Sequence, residues 1–171
     1  MRWWPETMIS TSGLNYALTL VTALGCGTIA GVFFAFSSFV MKALARLPPE
    51  EGIAAMQSIN VFAINSWFLV AFLGTAGLCI TTMIAAVVQW SESFAIFLLV
   101  GGVVYLAGCF AVTMIFNVPM NEALAALPPT APDRSASWAS YVTGWTTWNH
   151  LRTAASLFAT ALLAIGLSRI P

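Results

Sequence analysis

Charged side chains are so sparse along this chain that their spacing marks out its architecture. None occurs between Glu6 and Lys42, between Glu51 and Glu92, or between Glu92 and Glu122, and a fourth apolar run lies between Arg152 and Arg169. Each of the first three gaps exceeds the ~20 residues that an α-helix needs to cross a bilayer. The runs are continuous rather than alternating and rich in Ala, Leu, Met and Phe, which excludes transmembrane strands. The pattern predicts an all-α, integral-membrane four-helix bundle, a single transmembrane domain over residues 1–171. Its helices are expected near 14–42, 60–89, 94–121 and 146–168.

Composition agrees. Of the 171 residues 60% are hydrophobic and 7% charged, against about 25% charged in soluble domains. The net charge is zero, so no basic patch exists to meet phosphates and nucleic acid is not an expected partner. The lipid bilayer is. Met1-Arg2-Trp3-Trp4 looks like the start of a signal peptide, but the apolar run behind it is too long for one and reads as a mature helix. Cys26, Cys79 and Cys109 fall one in each of the first three helices, without CxxC spacing, and read as small buried apolar residues. Gly27 and Gly31 form a GxxxG, and Gly74, Gly77, Gly101, Gly102 and Gly108 offer further surfaces for close helix approach.

ALARLPP at 43–49 returns as ALAALPP at 123–129, an offset that suggests two duplicated helical hairpins. Chance similarity between Ala/Leu-rich segments is the rival explanation. Both copies would lie on one membrane side. Pro48 and Pro49 stop one helix and start another, Glu50 and Glu51 suit the positive end of its dipole, and EEGIAAMQSIN reads as a short interfacial helix. TAPDRSASWASYVTG is its more polar counterpart. Only QWSES joins helices two and three, so the bundle has a plain end and an elaborated end. Lys42, Arg46, Arg134 and Arg152 at the elaborated end outnumber Arg2 and Arg169 at the plain end. The positive-inside rule therefore puts both termini outside the cytoplasm.

The polar residues of the spans gather at the elaborated end: Ser37, Ser38 and Lys42; Asn60 and Asn65; Asn117, Asn121 and Glu122; Trp145, Trp148, Asn149, His150 and Arg152. Polar groups at membrane depth are costly unless they pair or line a wet cavity, so the clustering marks a candidate site. Asn117 and Asn121 share a helix face, and Pro119 between them leaves a carbonyl one turn back without its donor. In WTTWNHLRT, Trp145, Trp148, Asn149 and Arg152 form one stripe, and His150 points elsewhere. Either the stripe or His150 faces a pocket, not both. Trp67, Trp138, Tyr141, Trp145 and Trp148 have an alternative reading as interfacial anchors. Arg152 could snorkel to headgroups, and the Asn pair could serve only to satisfy a kink.

Three segments together, GVFFAFSSFVMKAL, NVPMNEAL and WNHLRT opening a last apolar helix, resemble the anthrone oxygenase-like family of integral-membrane domains, over roughly residues 20–165. The resemblance carries Asn117, Pro119, Asn121, Trp148, Asn149 and Arg152, and implies oxidation of an anthrone-like hydrophobic aromatic by O₂, as fungal members are associated with. Such chemistry needs an apolar slot, a base, and donors for an oxyanion. His150, of the side-chain type that ordinarily titrates near neutrality, is the first candidate base. Glu122 is the alternative, on condition that it is buried. Arg152, Asn117, Asn121 and Asn149 are the donors, and Asn65, Trp67, Trp145, Trp148 and Glu122 the expected substrate contacts.

No cofactor is expected. The chain has too few ligands for a non-haem iron or zinc site and no nucleotide fingerprint; a haem held by His150 alone is the alternative. The expected partner is a hydrophobic small molecule, with room for a homo-oligomer, and the expected location is the bacterial inner membrane. Two other functions compete. A non-enzymatic module that binds lipid or a small molecule, or joins a complex, would leave the polar groups satisfying one another with no cavity. A transporter would need oligomerisation, and acidic residues in mid-membrane that are missing here.

Overall fold

The computed structural model describes residues 11–127 and 133–171, and among them every regular element is helical. Four helices are long and apolar enough to cross a membrane: α1 (Ser12–Leu44), α3 (Trp67–Val88), α4 (Ala95–Ala125) and α5 (Arg134–Leu167). A fifth, α2 (Pro49–Ile64), lies between α1 and α3. In the bundle α1 packs on α3 and α5, and α4 packs on the same two.

Helix length explains the two ends. α3 has 22 residues, or about 33 Å at 1.5 Å per residue, close to the ~30 Å hydrocarbon core. The other three have 33, 31 and 34 residues, or about 46–51 Å, and overshoot it. Beyond the start of α3 its place is taken by α2, which descends from Pro48-Pro49 toward it. The two are one path broken at Asn65-Ser66. Asn65 ends α2, its side-chain amide donating to the Val61 carbonyl at 2.9 Å. Ser66 is extended, and its hydroxyl accepts from the Phe68 amide at 3.1 Å as the N-cap of α3. The second span therefore begins at Trp67, not near 60, and Asn60 and Asn65 belong to α2.

α5 corrects a second expectation. It begins at Arg134 rather than near 146 and runs unbroken. Its first three turns carry Trp138, Tyr141 and Trp145 inward, with Ser135, Ser140 and Thr143 exposed. These rings, expected as interfacial anchors, form instead the centre of an upper core with Met41, Leu44, Ile53, Met56 and Leu124. The lower core joins Cys26, Ile29, Phe33, Phe72, Cys79, Leu98, Tyr105, Cys109 and Leu163. The three cysteines are buried and free, with the Cys26 and Cys79 sulfurs 3.9 Å apart. At the plain end Asn15 and Gln89 exchange amide hydrogen bonds of 2.7 and 3.2 Å.

Pro119 does not end α4. Two π-helical stretches, Leu106–Ala111 and Thr113–Asn117, precede it, and a third, Phe36–Val40, widens α1 at the same end. The copies ALARLPP and ALAALPP close α1 and α4 at one end, with Pro128 and Pro129 outside the described residues. The helical path after the first copy is broken and the helix after the second is not, so the two halves of the chain are not structural copies on the far side of these loops.

The glycines divide. A Cβ on Gly101, Gly102 or Gly108 would crowd a neighbouring helix, whereas Gly31, Gly74 and Gly77, expected at contacts, have nothing within 4 Å. At Gly108 the new atom would lie 2.6 Å from the Ala155 methyl. Gly108→Leu is therefore expected to lower stability by about 1–3 kcal/mol, as overpacking does. Gly74→Leu should stay within about 0.5 kcal/mol of wild type. Thermal unfolding in mild detergent distinguishes them, and equal losses would refute close packing at Gly108.

Candidate functional site

The stripe on α5 faces the bundle interior, and His150 is exposed. Arg152 is the centre of what the stripe builds. Only 3% of its surface is accessible, so it does not snorkel and is no longer a surface charge of the elaborated end. Its guanidinium donates from Nη2 to Asn149 Oδ1 at 2.8 Å and from Nη1 to Thr113 Oγ1 at 3.3 Å. The same group sits 4.1 Å from the Phe33 ring centroid and 4.8 Å from that of Trp145. Cation–π contacts of this kind are worth about 2 kcal/mol when desolvated. No carboxylate pairs with Arg152 among the described residues: Glu50, Glu51, Glu92, Glu122 and Asp133 are all outside the buried interior.

Asn149 orients the guanidinium. Its amide nitrogen donates to the Phe33 carbonyl at 2.8 Å and to Ser37 Oγ at 2.7 Å, which leaves Oδ1 for Arg152. Ser37 lies in the π-helical turn of α1, one turn beyond Phe33, and shares a 3.0 Å hydrogen bond with Thr153. The distorted turn thus supplies α5 with a side-chain partner and a neighbouring backbone acceptor, a common use of π-bulges.

Asn117 and Asn121 also face α5. Asn117 is buried and donates to the Trp145 carbonyl at 3.2 Å, while its own Oδ1 has no partner. Asn121 Oδ1 accepts from Tyr141 Oη at 2.8 Å and Trp145 Nε1 at 2.9 Å. Trp145 therefore meets both asparagines and the arginine. Its ring continues a row through Tyr141 to Trp138, with centroids 6.4 and 5.7 Å apart.

Beside this network lies a chamber of about 780 Å³ at the level of the α2–α3 break. Arg152, Thr113, Asn121 and Trp145 form a polar wall on α4 and α5, Ser58, Asn60 and Ser66 add polar groups from α2 and the break, and Phe33, Phe36, Phe68 and Phe72 are among the apolar lining. A second cavity of about 460 Å³ adjoins it, sharing Asn60, Ile64, Val118 and Asn121, with Gln57 and Glu122 on its own wall.

The expected site residues thus separate. Arg152, Asn121 and Trp145 line the chamber; Asn117 and Asn149 stand behind it and hold them. His150 does not line it, so a haem held by His150 would lie outside the chamber. Glu122 is exposed, which fails its condition for acting as a buried base, and it borders the second cavity. Trp148 stacks on Phe116 with centroids 3.7 Å apart. Asn65 is spent on capping α2, and Trp67 is 86% exposed. Among the described residues no group of three or more His, Cys, Asp or Glu could hold a metal ion.

Thr113, Phe33 and Tyr141 were not expected as site residues. Tyr141 had a legible signal, since Trp138, Tyr141 and Trp145 continue the helical spacing of the stripe. Thr113 and Phe33 had none, because both lie inside apolar runs.

One acceptor serving two donors makes Asn121 a sensitive position. Asn121→Leu strands the Tyr141 hydroxyl and the Trp145 indole, at about 1–3 kcal/mol for each unsatisfied group. Asn65→Ala, which removes only an exposed cap, should cost well under half of that. Thermal midpoints of the two variants side by side provide the measurement, and equal shifts would sink the shared-acceptor account.

Residues 65–162, more than half of the chain, match the family model described as Anthrone oxygenase. No curated protein and no solved structure matches the chain. The match begins at the α2–α3 break and takes in α3, α4 and nearly all of α5, including NVPMNEAL and WNHLRT; the GVFFAFSSFVMKAL segment of α1 falls outside it. The network that buries Arg152 is built chiefly from the matched part, and on that match the chain belongs to the anthrone oxygenase family.

Proposed function

We propose that this protein is a small membrane oxygenase that holds a flat, acidic aromatic ketone of the anthrone type in the chamber and lets O₂ react with its anion. The observation that carries the proposal is Arg152, a buried cation on the wall of an aromatic cavity with no carboxylate partner among the described residues. A fixed positive charge in a dry site stabilises an oxyanion far better than the same charge does in water.

The chemistry balances without an external reductant. An anthrone methylene loses a proton, and the resulting negative charge rests largely on the ketone oxygen, facing Arg152. O₂ takes electrons from the carbanion centre and forms a carbon–oxygen bond, giving a peroxide. Loss of the second methylene proton breaks the O–O bond, leaving a new ketone and water. The sum is R₂CH₂ + O₂ → R₂C=O + H₂O. Phe33, Phe36, Phe68 and Phe72 supply walls for the rings, and Asn149 keeps the guanidinium aimed. No imidazole or carboxylate lines the chamber among the described residues. We assign the first proton to solvent that reaches the chamber through the adjoining cavity, on whose wall Glu122 lies.

A second proposal, a binding module without turnover, draws on that same lack of a base in the chamber. Oxygen uptake with an anthrone, followed by the absorbance of the quinone, separates the two. Wild-type protein should consume about one O₂ per quinone formed. Arg152→Leu should lose about 10²–10³-fold in rate, the loss typical of removing an oxyanion donor, and Arg152→Lys should recover part of it. His150→Ala should remain within about twofold of wild type, ~0.4 kcal/mol in the barrier. Activity indifferent to Arg152→Leu would overturn the proposal.

A further inference from the structure

The chamber has a side opening. α3 and α4 pack closely along Ala95–Tyr105 and diverge beyond Leu106–Ala111. The stacked Phe72 and Phe110 rings, 5.5 Å apart, close the lower end of the divergence. Beside them Leu73, next to Phe72 on α3, and Met114, one turn beyond Phe110 on α4, both line the chamber, and both are about half exposed, at 50% and 49%. Phe62 and Ile64, at the end of α2, also line it and are exposed. These four rim residues are apolar; Ser58 on α2 and Ser66 at the break are exposed lining residues as well, on the side of the chamber nearer the elaborated end. Leu73 lies six residues into α3, roughly 9 Å along the span, so the rim opens on the flank of the bundle rather than at its polar end.

On the side between α3 and α4 polarity therefore rises inward, from apolar Leu73 and Met114 to Arg152, Thr113 and Trp145. The volume adds a second constraint. At about 780 Å³ the chamber falls in the upper part of the ~300–1,000 Å³ range that encloses drug-sized ligands, more than a bare three-ring aromatic occupies. A ligand that matches both features has an acidic head for Arg152, which no carboxylate among the described residues meets, and an apolar extension toward the rim.

We propose that the chamber draws its ligand sideways from the bilayer through the gap between Leu73 and Met114, and that the ligand is an amphiphile. Its acidic aromatic head lies against Arg152, and its apolar tail passes out through the gap into lipid. The aromatic head rests on the oxygenase proposal; the route and the tail rest on the chamber alone.

The experiment measures binding without turnover, under anaerobic conditions, to the full chain in lipid vesicles. The labelled probes are a hydroxyanthrone and the same compound with a long alkyl chain on the ring farthest from the hydroxyl. Affinities are expressed per mole fraction in the lipid, so that simple partitioning cancels. The tailed probe should bind at least tenfold more tightly than the bare one. Leu73→Trp and Met114→Trp, singly and together, should remove that advantage, while Ile80→Trp, on a lipid-facing position of α3 outside the chamber, should not. Equal binding of the two probes, or an advantage that survives both rim substitutions, overturns the lateral route. Competition by a fatty acid as strong as that of the tailed probe overturns the aromatic head. Admitting air then tests the oxygenase separately: a tailed probe that binds as expected but is not oxidised leaves the route standing and removes the reaction.

Discussion

Burying the Arg152 guanidinium is the constraint on which the upper half of the bundle depends. A cation at membrane depth is expensive unless its field is answered, and no carboxylate among the described residues answers it here. The answer is distributed over Asn149 Oδ1, Thr113 Oγ1, and the faces of Phe33 and Trp145. Each polar or aromatic partner on α5 is in turn held. Asn149 is fixed by the Phe33 carbonyl and Ser37, and Trp145 by Asn117 and Asn121. Dipoles and ring faces leave the charge solvated but not neutralised, so an anion entering the chamber meets a net positive wall. A carboxylate in place of Asn149 would satisfy the arginine better and leave less field for a ligand.

The space for such a ligand comes from a broken helix. Were α2 and α3 one straight helix, α3 would fill the bundle up to the level of Trp138. The break at Asn65-Ser66 offsets the two segments and leaves the chamber between them. Backbone breaks at membrane depth are tolerated where they line a cavity and their polar groups are met. Asn65 and Ser66 meet them locally, with one bond to Val61 and one from Phe68. Gln57, donating to the Leu124 carbonyl at 2.8 Å, ties α2 to the end of α4. Gly52 lets α2 approach the Trp138 indole, where a Cβ would stand only 2.7 Å from the ring.

Distortions of the other helices serve the same region. The π-helical turns of α1 and α4 lie at the chamber end, and the opposite end of the bundle has none among the described residues. A π turn rotates the helix beyond it, and after Thr113–Asn117 both Asn117 and Asn121 face α5. The lower core, by contrast, has close glycine contacts and no buried charge among the described residues, its buried polar groups being mostly threonines such as Thr22 and Thr82, which share a 3.0 Å hydrogen bond. The molecule is thus a regular bundle at one end and an adapted one at the other.

Much of this was legible in the chain itself. Charge spacing determines four spans and the all-α class, because bilayer thickness sets helix length and no other term competes. The i, i+3, i+4, i+7 spacing of Trp145, Trp148, Asn149 and Arg152 determines that they share a face, and the clustering of amides determines which end is unusual. The sequence could not say which face turns inward, since burying Arg152 is favourable only if Phe33, Thr113 and Asn149 converge from three helices. Nor could it place the start of α5, whose serines look like a loop until Trp138 and Tyr141 find the upper core. His150 and Glu122 carry the residue types that base chemistry wants, yet their exposure was decided by how α4 and α5 are rotated. The chamber itself is purely tertiary. It exists because two caps at Asn65-Ser66 interrupt one path while three longer helices pass it by, and no local propensity encodes an empty volume.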